Sequence, residues 1–255
     1  MQRLVRHLDL FSGIGGFALA AKMAGGIETV GFCEIDPWAR RILAKNFPNV
    51  PIHADVKTLN PKDYGRIDLI TGGYPCQPFS EAGKRLGADD DRHLWPEVRR
   101  VIEGCKPRWV LCENVVGHVT LGLDQVLSDL ESIGYAARAT VIPACAVDAR
   151  HRRERVWIVA NAESIGRNHG YDGKLFGQGT EEVHAPASAS GTVDWMEAGR
   201  WEDEPAMDRV AHGIPNRMDR IRGLGNAIVP QVAAEILRCI MRVDSLHNSV
   251  DQRQS

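Results

Sequence analysis

VRHLDLFSGIGGFALAAKM, residues 5–23, passes from an apolar stretch through a run of glycines into apolar residues at helical spacing. Val5–Leu10 has the composition of a short buried strand, SGIGG that of a turn, and the remainder through Met23 that of a helix. A second strand, Thr29–Cys33, ends in Glu34 and Asp36. A helix then begins near Pro37, where a proline suits the first turn. The order is strand, glycine turn, helix, strand, acid.

The alternation continues. Asp68–Thr71, Trp109–Cys112, Ala139–Ile142 and Val156–Ala160 read as further strands, with helical patterns at Trp95–Glu103 and Leu123–Ile133 between them. Such a chain predicts an α/β fold, a doubly wound and mostly parallel sheet. After Asn161 the pattern fails: 161–192 is rich in Gly, Ser, Ala and Thr. A loop that long in a compact domain is functional or disordered. Helical periodicity returns over Pro230–Arg242, with Val232, Ile236 and Ile240 on one face.

With 255 residues, 44% hydrophobic and 25% charged, the chain fits one main globular domain, and no apolar run reads as a membrane span. The N-terminus has no h-region of export length, which points to the cytoplasm. Six cysteines include no CxxC pair, so neither a metal site nor a disulfide framework is expected. Net charge is −2, but its distribution is uneven. RHRRER, residues 150–155, carries four arginines, whereas 161–207 holds nine acids against three bases.

Several candidate groups fall at the carboxyl ends of successive strands, where open α/β sheets bind ligands. FSGIGGF (11–17) offers backbone amides at a helix start, or is simply a tight turn. Glu34 can bind ribose hydroxyls and Asp55 can reach an adenine amino group, although either acid taken alone is equally read as a surface charge. The phosphate-binding pattern GxxxxGK[ST] is absent. An adenosine compound without a phosphate tail is therefore expected, which points to S-adenosylmethionine. GGYPCQPFS (72–80) fixes Cys76 in a stiff turn between two prolines, as a nucleophile or as a buried structural thiol. Glu113, reached through LCENV at the next strand end, adds a carboxyl group to the same cleft. In HRRERVW (151–157), Arg153 and Arg155 project to one side of a strand start and can clamp a carboxylate or a phosphate, unless the run is a solvated turn.

In this order the motifs resemble those of the DNA (cytosine-5) methyltransferases of compact bacterial or phage type. DLFSGIGGF, CEIDP, Asp55–Val56, GGYPCQPFS, ENV at 113–115, HRRERV and GLGNAIVPQVAAEI at 223–236 are similar to seven family motifs in sequence, and SEAGKRLGADDDRHLW resembles the mobile loop after the nucleophile. The resemblance implies a Rossmann-like, S-adenosylmethionine-dependent fold with a small irregular target-recognition region. It implies methyl transfer to C5 of a flipped cytosine in double-stranded DNA, with S-adenosylhomocysteine as product and Cys76, Glu113, Arg153 and Arg155 as catalytic residues. Phe11, Gly13, Ile14, Gly16, Glu34, Ile35, Asp55, Val56, Pro75, Leu94, Asn226 and Ala227 would form the cofactor pocket. Some members of the fold family act on tRNA, so an RNA substrate is the alternative.

The corresponding domain reading is a catalytic core over 1–160, a target-recognition region over 161–222, a segment returning to the core over 223–243 and a disordered tail over 244–255. Because DNA affinity rests largely on neutralising phosphates, contacts are expected from Ser80, Lys84, Arg85, Arg217, Arg220 and Arg222 rather than from the acidic 161–204. A monomer, with a cognate restriction endonuclease as a possible partner, completes the expectation.

Overall fold

In β1 (Val5–Leu10) five of six residues are buried, so the strand needs cover on both faces. The computed structural model describes residues 3–75, 94–120, 122–162 and 223–254. After β1 come α1 (Gly16–Ala24), β2 (Ile27–Cys33), α2 (Pro37–Asn46), β3 (Ile52–His53) and β4 (Leu69–Gly72). They are followed by α3 (Trp95–Cys105), β5 (Trp109–Val115), α4 (Leu123–Ser132), β6 (Ala136–Ile142), β7 (Arg155–Asn161) and α5 (Pro230–Gln254). The strands form one sheet in the order β3-β2-β1-β4-β5-β7-β6. Only β7 runs antiparallel to its neighbours. This is the doubly wound, mostly parallel architecture expected.

Alternation along β1 divides the core. Leu8 and Leu10 point toward α3 and α4, where they join Ile70, Val110 and Cys112 and meet Val98, Ile102, Val126 and Leu130. Val5 points the other way, with Leu69, Leu111 and Trp157, toward Phe17 and Ala20 of α1 and Val232, Leu237 and Ile240 of α5. Each fully buried Leu, Ile or Val contributes about 1.5–3 kcal/mol relative to exposure. Local chemistry agrees with this packing. Asp36 accepts a hydrogen bond from Trp38 N at 2.7 Å while Pro37 takes the first helical position, so α2 starts where its sequence says.

The helix α5 continues through Gln254, over residues that the sequence reading gave to a disordered tail from 244. Asp244 is part of the reason, since its Oδ1 accepts from Arg108 at 2.7 Å and from Trp109 Nε1 at 3.2 Å, which anchors that turn to β5. The stretch Gly223–Ser245 is also long and apolar enough to cross a membrane by length and composition. Here Val232, Ala233, Ala234, Leu237 and Ile240 are instead buried in the core shared with α1 and β1. Of the expected target-recognition region, only Asn161 and Ala162 are among the described residues, and Asn161 is the last residue of β7.

Candidate functional site

The turn after β1 is shaped by its backbone. Phe11 at φ 53°, Gly13 at 52° and Gly15 at 93° all occupy the left-handed region, which is costly for a phenylalanine and marks a constrained site. Ser12 Oγ donates to Asp9 O at 2.7 Å and fixes the turn on the end of β1. Glu34, at the end of β2 and 9% exposed, binds this turn to the next one. Its Oε2 accepts from Gly13 N and its Oε1 from Asp36 N, both at 2.7 Å. The ribose-binding acid of the sequence reading is thus also a strut between two loops, with lone pairs remaining for a ligand. Beside it Ile35 is 69% exposed, an unusual state for isoleucine that leaves an apolar face toward solvent.

Asp55 caps a short 3-10 turn by accepting from Lys57 N at 2.9 Å, and Val56 is buried beneath it. Arg100 of α3 donates to the carbonyls of Val56 and Leu59 at 2.6 and 2.9 Å and holds this turn against the core. The thiol of Cys33 reports how the acids converge. Burial first, and then the charges of Glu34, Asp55 and Asp9, push it up to about 12 against a lowering from Arg100. Three carboxyl groups therefore surround the ends of β1 and β2, which disfavours a phosphate and suits donors and cations.

Asp9 was not singled out by the sequence reading. It is fully buried, and burial raises its carboxyl to about 8, against a lowering from the Thr71 hydrogen bond and with a further rise from Glu34. Thr71 donates to Oδ1 at 2.8 Å, whereas Oδ2 is buried with no partner among the described residues. Behind Thr71 a polar chain crosses three strands. His7 Nε2 lies 2.7 Å from Thr71 Oγ1, and its Nδ1 lies 2.9 Å from Thr29 Oγ1. Since Thr71 gives its one proton to Asp9, His7 donates from Nε2 and receives at Nδ1 from Thr29. The signal was two polar residues, His7 and Asp9, on one face of a strand whose other buried residues are all apolar.

The acid site lies between β5 and β7. Glu113 falls inside β5, opposite Trp157, and not at the strand's end, because pairing with β7 extends β5 to Val115. Arg155, the first residue of β7, reaches diagonally so that its Nε is 2.9 Å from Glu113 Oε1. Burial raises the Glu113 carboxyl above its ordinary range, opposed first by Arg155 and then by Arg153. On the other side, Glu113 Oε2 lies 3.5 Å from where a Cβ on Gly73 would stand.

Arg153 departs from expectation. It precedes β7 rather than sharing its face with Arg155, and its backbone is left-handed at φ 30°. Its guanidinium donates to the carbonyls of Gly225 and Ala227, both at 2.7 Å. That segment also leans on the first glycine turn. Gly16 has no room for a Cβ against Ile228, nor Gly223 against the ring of Trp38, while the side chain of Ile14 lies in ordinary contact with Gly223.

The chain leading to the expected nucleophile is pinned at Tyr74, which is buried. Asn114 donates to Tyr74 O at 3.2 Å, and Tyr74 OH pairs with His118 Nε2 at 2.8 Å. Pro75 is exposed, and Leu94 packs against the core beside Trp95. Cys76, Ser80, Lys84, Arg85, Arg217, Arg220 and Arg222 lie outside the described residues. Asn226 is exposed and Ala227 half-buried at the strap held by Arg153.

Residues 5–196 match the profile of a family described as C-5 cytosine-specific DNA methylase. The Type II methyltransferase M1.ScrFI of Lactococcus lactis subsp. cremoris is 36% identical over 159 residues, which are 60% of this chain and 41% of that protein. The Type II methyltransferase M.NgoFVII of Neisseria gonorrhoeae is 32% identical over 200 residues, 76% of this chain and 51% of its own length. The chain therefore spans about half the length, or less, of these relatives. Among solved structures, the Dnmt2 methyltransferase of S. pombe superposes with a TM-score of 0.56 at 25% identity, covering 70% of this chain and 57% of that one. On the extent of the family match, this chain belongs to the C-5 cytosine-specific DNA methylases.

Proposed function

We propose that the chain transfers a methyl group from S-adenosylmethionine to C5 of cytosine in double-stranded DNA. The observation that carries this is Glu113: a buried carboxyl whose Oε1 is held by Arg155 and whose Oε2 faces the glycine stem of the Cys76 segment. Because Oε1 accepts from Arg155, the proton that Glu113 offers rides on Oε2.

The cofactor cleft fits the group. Asp9 Oδ2 is a buried carboxyl oxygen without a partner among the described residues; it would carry the acid's proton in the free protein and become an acceptor on ionising beside a cationic ligand tail, while Glu34 and Asp55 supply acceptors for hydroxyl and amino groups. Phe11, Ile35 and Val56 would contribute apolar surface, Gly13, Ile14 and Gly16 the turn, and Asn226 and Ala227 the covering strap. Pro75 and Leu94 would add walls. S-adenosylmethionine supplies the electrophilic methyl group.

In this reading the target base leaves the duplex, since its ring faces are otherwise stacked. The Cys76 thiolate adds to C6 while Glu113 hydrogen-bonds or protonates N3, so that the electron pair pushed toward the ring is neutralised and C5 becomes nucleophilic. After C5 gains the methyl group, a base removes its proton, the electron pair re-forms the double bond and the thiolate departs. Arg155 keeps Glu113 aimed throughout. DNA contacts from Ser80, Lys84, Arg85, Arg217, Arg220 and Arg222, and a target-recognition role for 161–222, belong to the same proposal. So do action as a monomer in the cytoplasm and, from the type II names of the relatives, a cognate restriction endonuclease as partner.

The test is to offer duplex DNA and tRNA side by side with methyl-labelled S-adenosylmethionine and to map modified cytosines by bisulfite sequencing. Label in DNA at C5 is expected. Label in RNA alone would move the chain to an RNA cytosine methyltransferase, and label in neither would sink the proposal.

A further inference from the structure

Arg153 touches neither the acid's oxygens nor the glycine turn, yet it stands between them. Its guanidinium spends two hydrogen bonds on Gly225 O and Ala227 O, the carbonyls that flank Asn226. On the opposite side Gly223 of the strap lies too close to the Trp38 ring for a Cβ, with Ile14 in ordinary contact, and the residue after the strap, Ile228, closes over Gly16 with no room for a Cβ. The strap is therefore clamped between the turn after β1 and the loop before β7. Arg153 is itself under load. It adopts a left-handed backbone, is partly buried, and loses basicity through that burial and through the like charge of Arg155. Its charge also acts on Glu113, as does that of Arg155 from β7, and Glu113 in turn raises the neighbouring Cys112 thiol on β5.

We propose, resting on the methyltransferase reading, that Arg153 is a positioning residue that couples the two halves of the site: by holding the 223–227 strap it ties cofactor binding to the proton on Glu113. A ligand that orders the strap keeps Arg153 on the carbonyls and leaves Arg155 alone against Glu113. When the strap loosens, Arg153 loses both acceptors, and its charge is free to swing toward the acid and favour its ionised form. Linkage makes the effect reciprocal, so a change at Arg153 is read at both places.

The experiment compares wild type with Arg153→Ala, Arg153→Lys and Gly223→Ala. It reads S-adenosylmethionine affinity by calorimetry without nucleic acid, then the pH profile of single-turnover methyl transfer at saturating cofactor. Arg153→Ala is expected to weaken the cofactor about tenfold, within the usual range of coupling between sites. Removing its charge also raises Glu113, so the limb on which activity falls with rising pH should move up by roughly half a unit. Arg153→Lys keeps the charge and should hold the limb while recovering part of the affinity. Gly223→Ala crowds the strap off Trp38 with Arg153 intact. It should weaken the cofactor similarly but move the limb down, because the freed guanidinium turns to Glu113. Affinity within twofold of wild type in both alanine variants overturns the proposal. So does an affinity loss with the limb unmoved, which would reduce Arg153 to a structural strut. Wild-type protein that binds no S-adenosylmethionine would instead refute the methyltransferase reading, and the wild-type titration shows this before any variant is compared.

Discussion

Thr71 on β4 donates its hydroxyl proton to Asp9 Oδ1 on β1 across 2.8 Å, and the second oxygen of that carboxyl is buried without a partner among the described residues. Asp9 is raised by burial to about 8, so the folded state holds its proton where the unfolded chain has lost it. That contribution to stability is complete below the ordinary carboxylate range and is lost as pH rises through about 8. His7, lowered by burial to about 3, acts in the opposite sense between there and its ordinary value. The clean window is therefore above pH 6.5. Between pH 6.5 and 8 Asp9 should cost the fold ~1–2 kcal/mol, and Asp9→Asn, which mimics the protonated acid, should remove that slope. Urea unfolding across the window measures it, and a slope unchanged in the variant would exclude Asp9 as its source.

Glu113→Gln keeps the size of the side chain and can still hydrogen-bond, but it has no proton to transfer. Methyl transfer should drop by about 10²–10⁴-fold, the usual worth of a positioned acid. Cofactor affinity should stay within about threefold, because Glu113 lies beyond the strap. Single-turnover rates and calorimetry give the two numbers, and equal losses in both would argue for collapse of the β5–β7 edge.

Cys76→Ser should abolish transfer while leaving cofactor binding intact, since the oxygen nucleophile is far less reactive at neutral pH. Turnover retained in this variant would refute the covalent route. A mechanism-based probe, duplex DNA carrying 5-fluorocytosine, should form a stable adduct with wild-type protein and none with the variant.

Glu34 has two jobs that one substitution cannot separate. Glu34→Ala removes acceptors from the cofactor and also releases Gly13 N and Asp36 N. It should lower both cofactor affinity and the melting temperature. Glu34→Gln keeps a carbonyl for one amide and should spare much of the stability while still weakening the cofactor by about tenfold, or ~1.4 kcal/mol. Normal affinity in both variants would move the ribose contact elsewhere.

Residues that decide their structure locally were legible in the sequence. β1 and α2 are found where predicted because a strand running into a glycine turn and an Asp-Pro helix start are marked by adjacent residues. The first half of β6 was missed because Ala136, Ala137 and Arg138 have little strand preference, and antiparallel pairing with β7 puts them in the sheet. The same pairing moved Glu113 from a strand end to a strand interior. In the site, Glu34 and Asp55 stand at turns that the sequence marks. The chain Thr29–His7–Thr71–Asp9 joins three strands far apart in sequence, and no short motif encodes it. Arg153 was noticed as a charge, but its carbonyl partners lie more than seventy positions away.

The packing of α5 on α1 also sets the order of events during synthesis. Phe17, Ala20 and Ala21 are translated early, yet their covering residues, from Val232 to Ile240, come roughly 200 residues later, which at 5–20 residues per second is on the order of 10–40 s. Throughout that interval an apolar helix face remains open on the nascent chain. Its protection then falls to chaperones or to transient packing, and folding of this half of the core is obliged to be a late, long-range event.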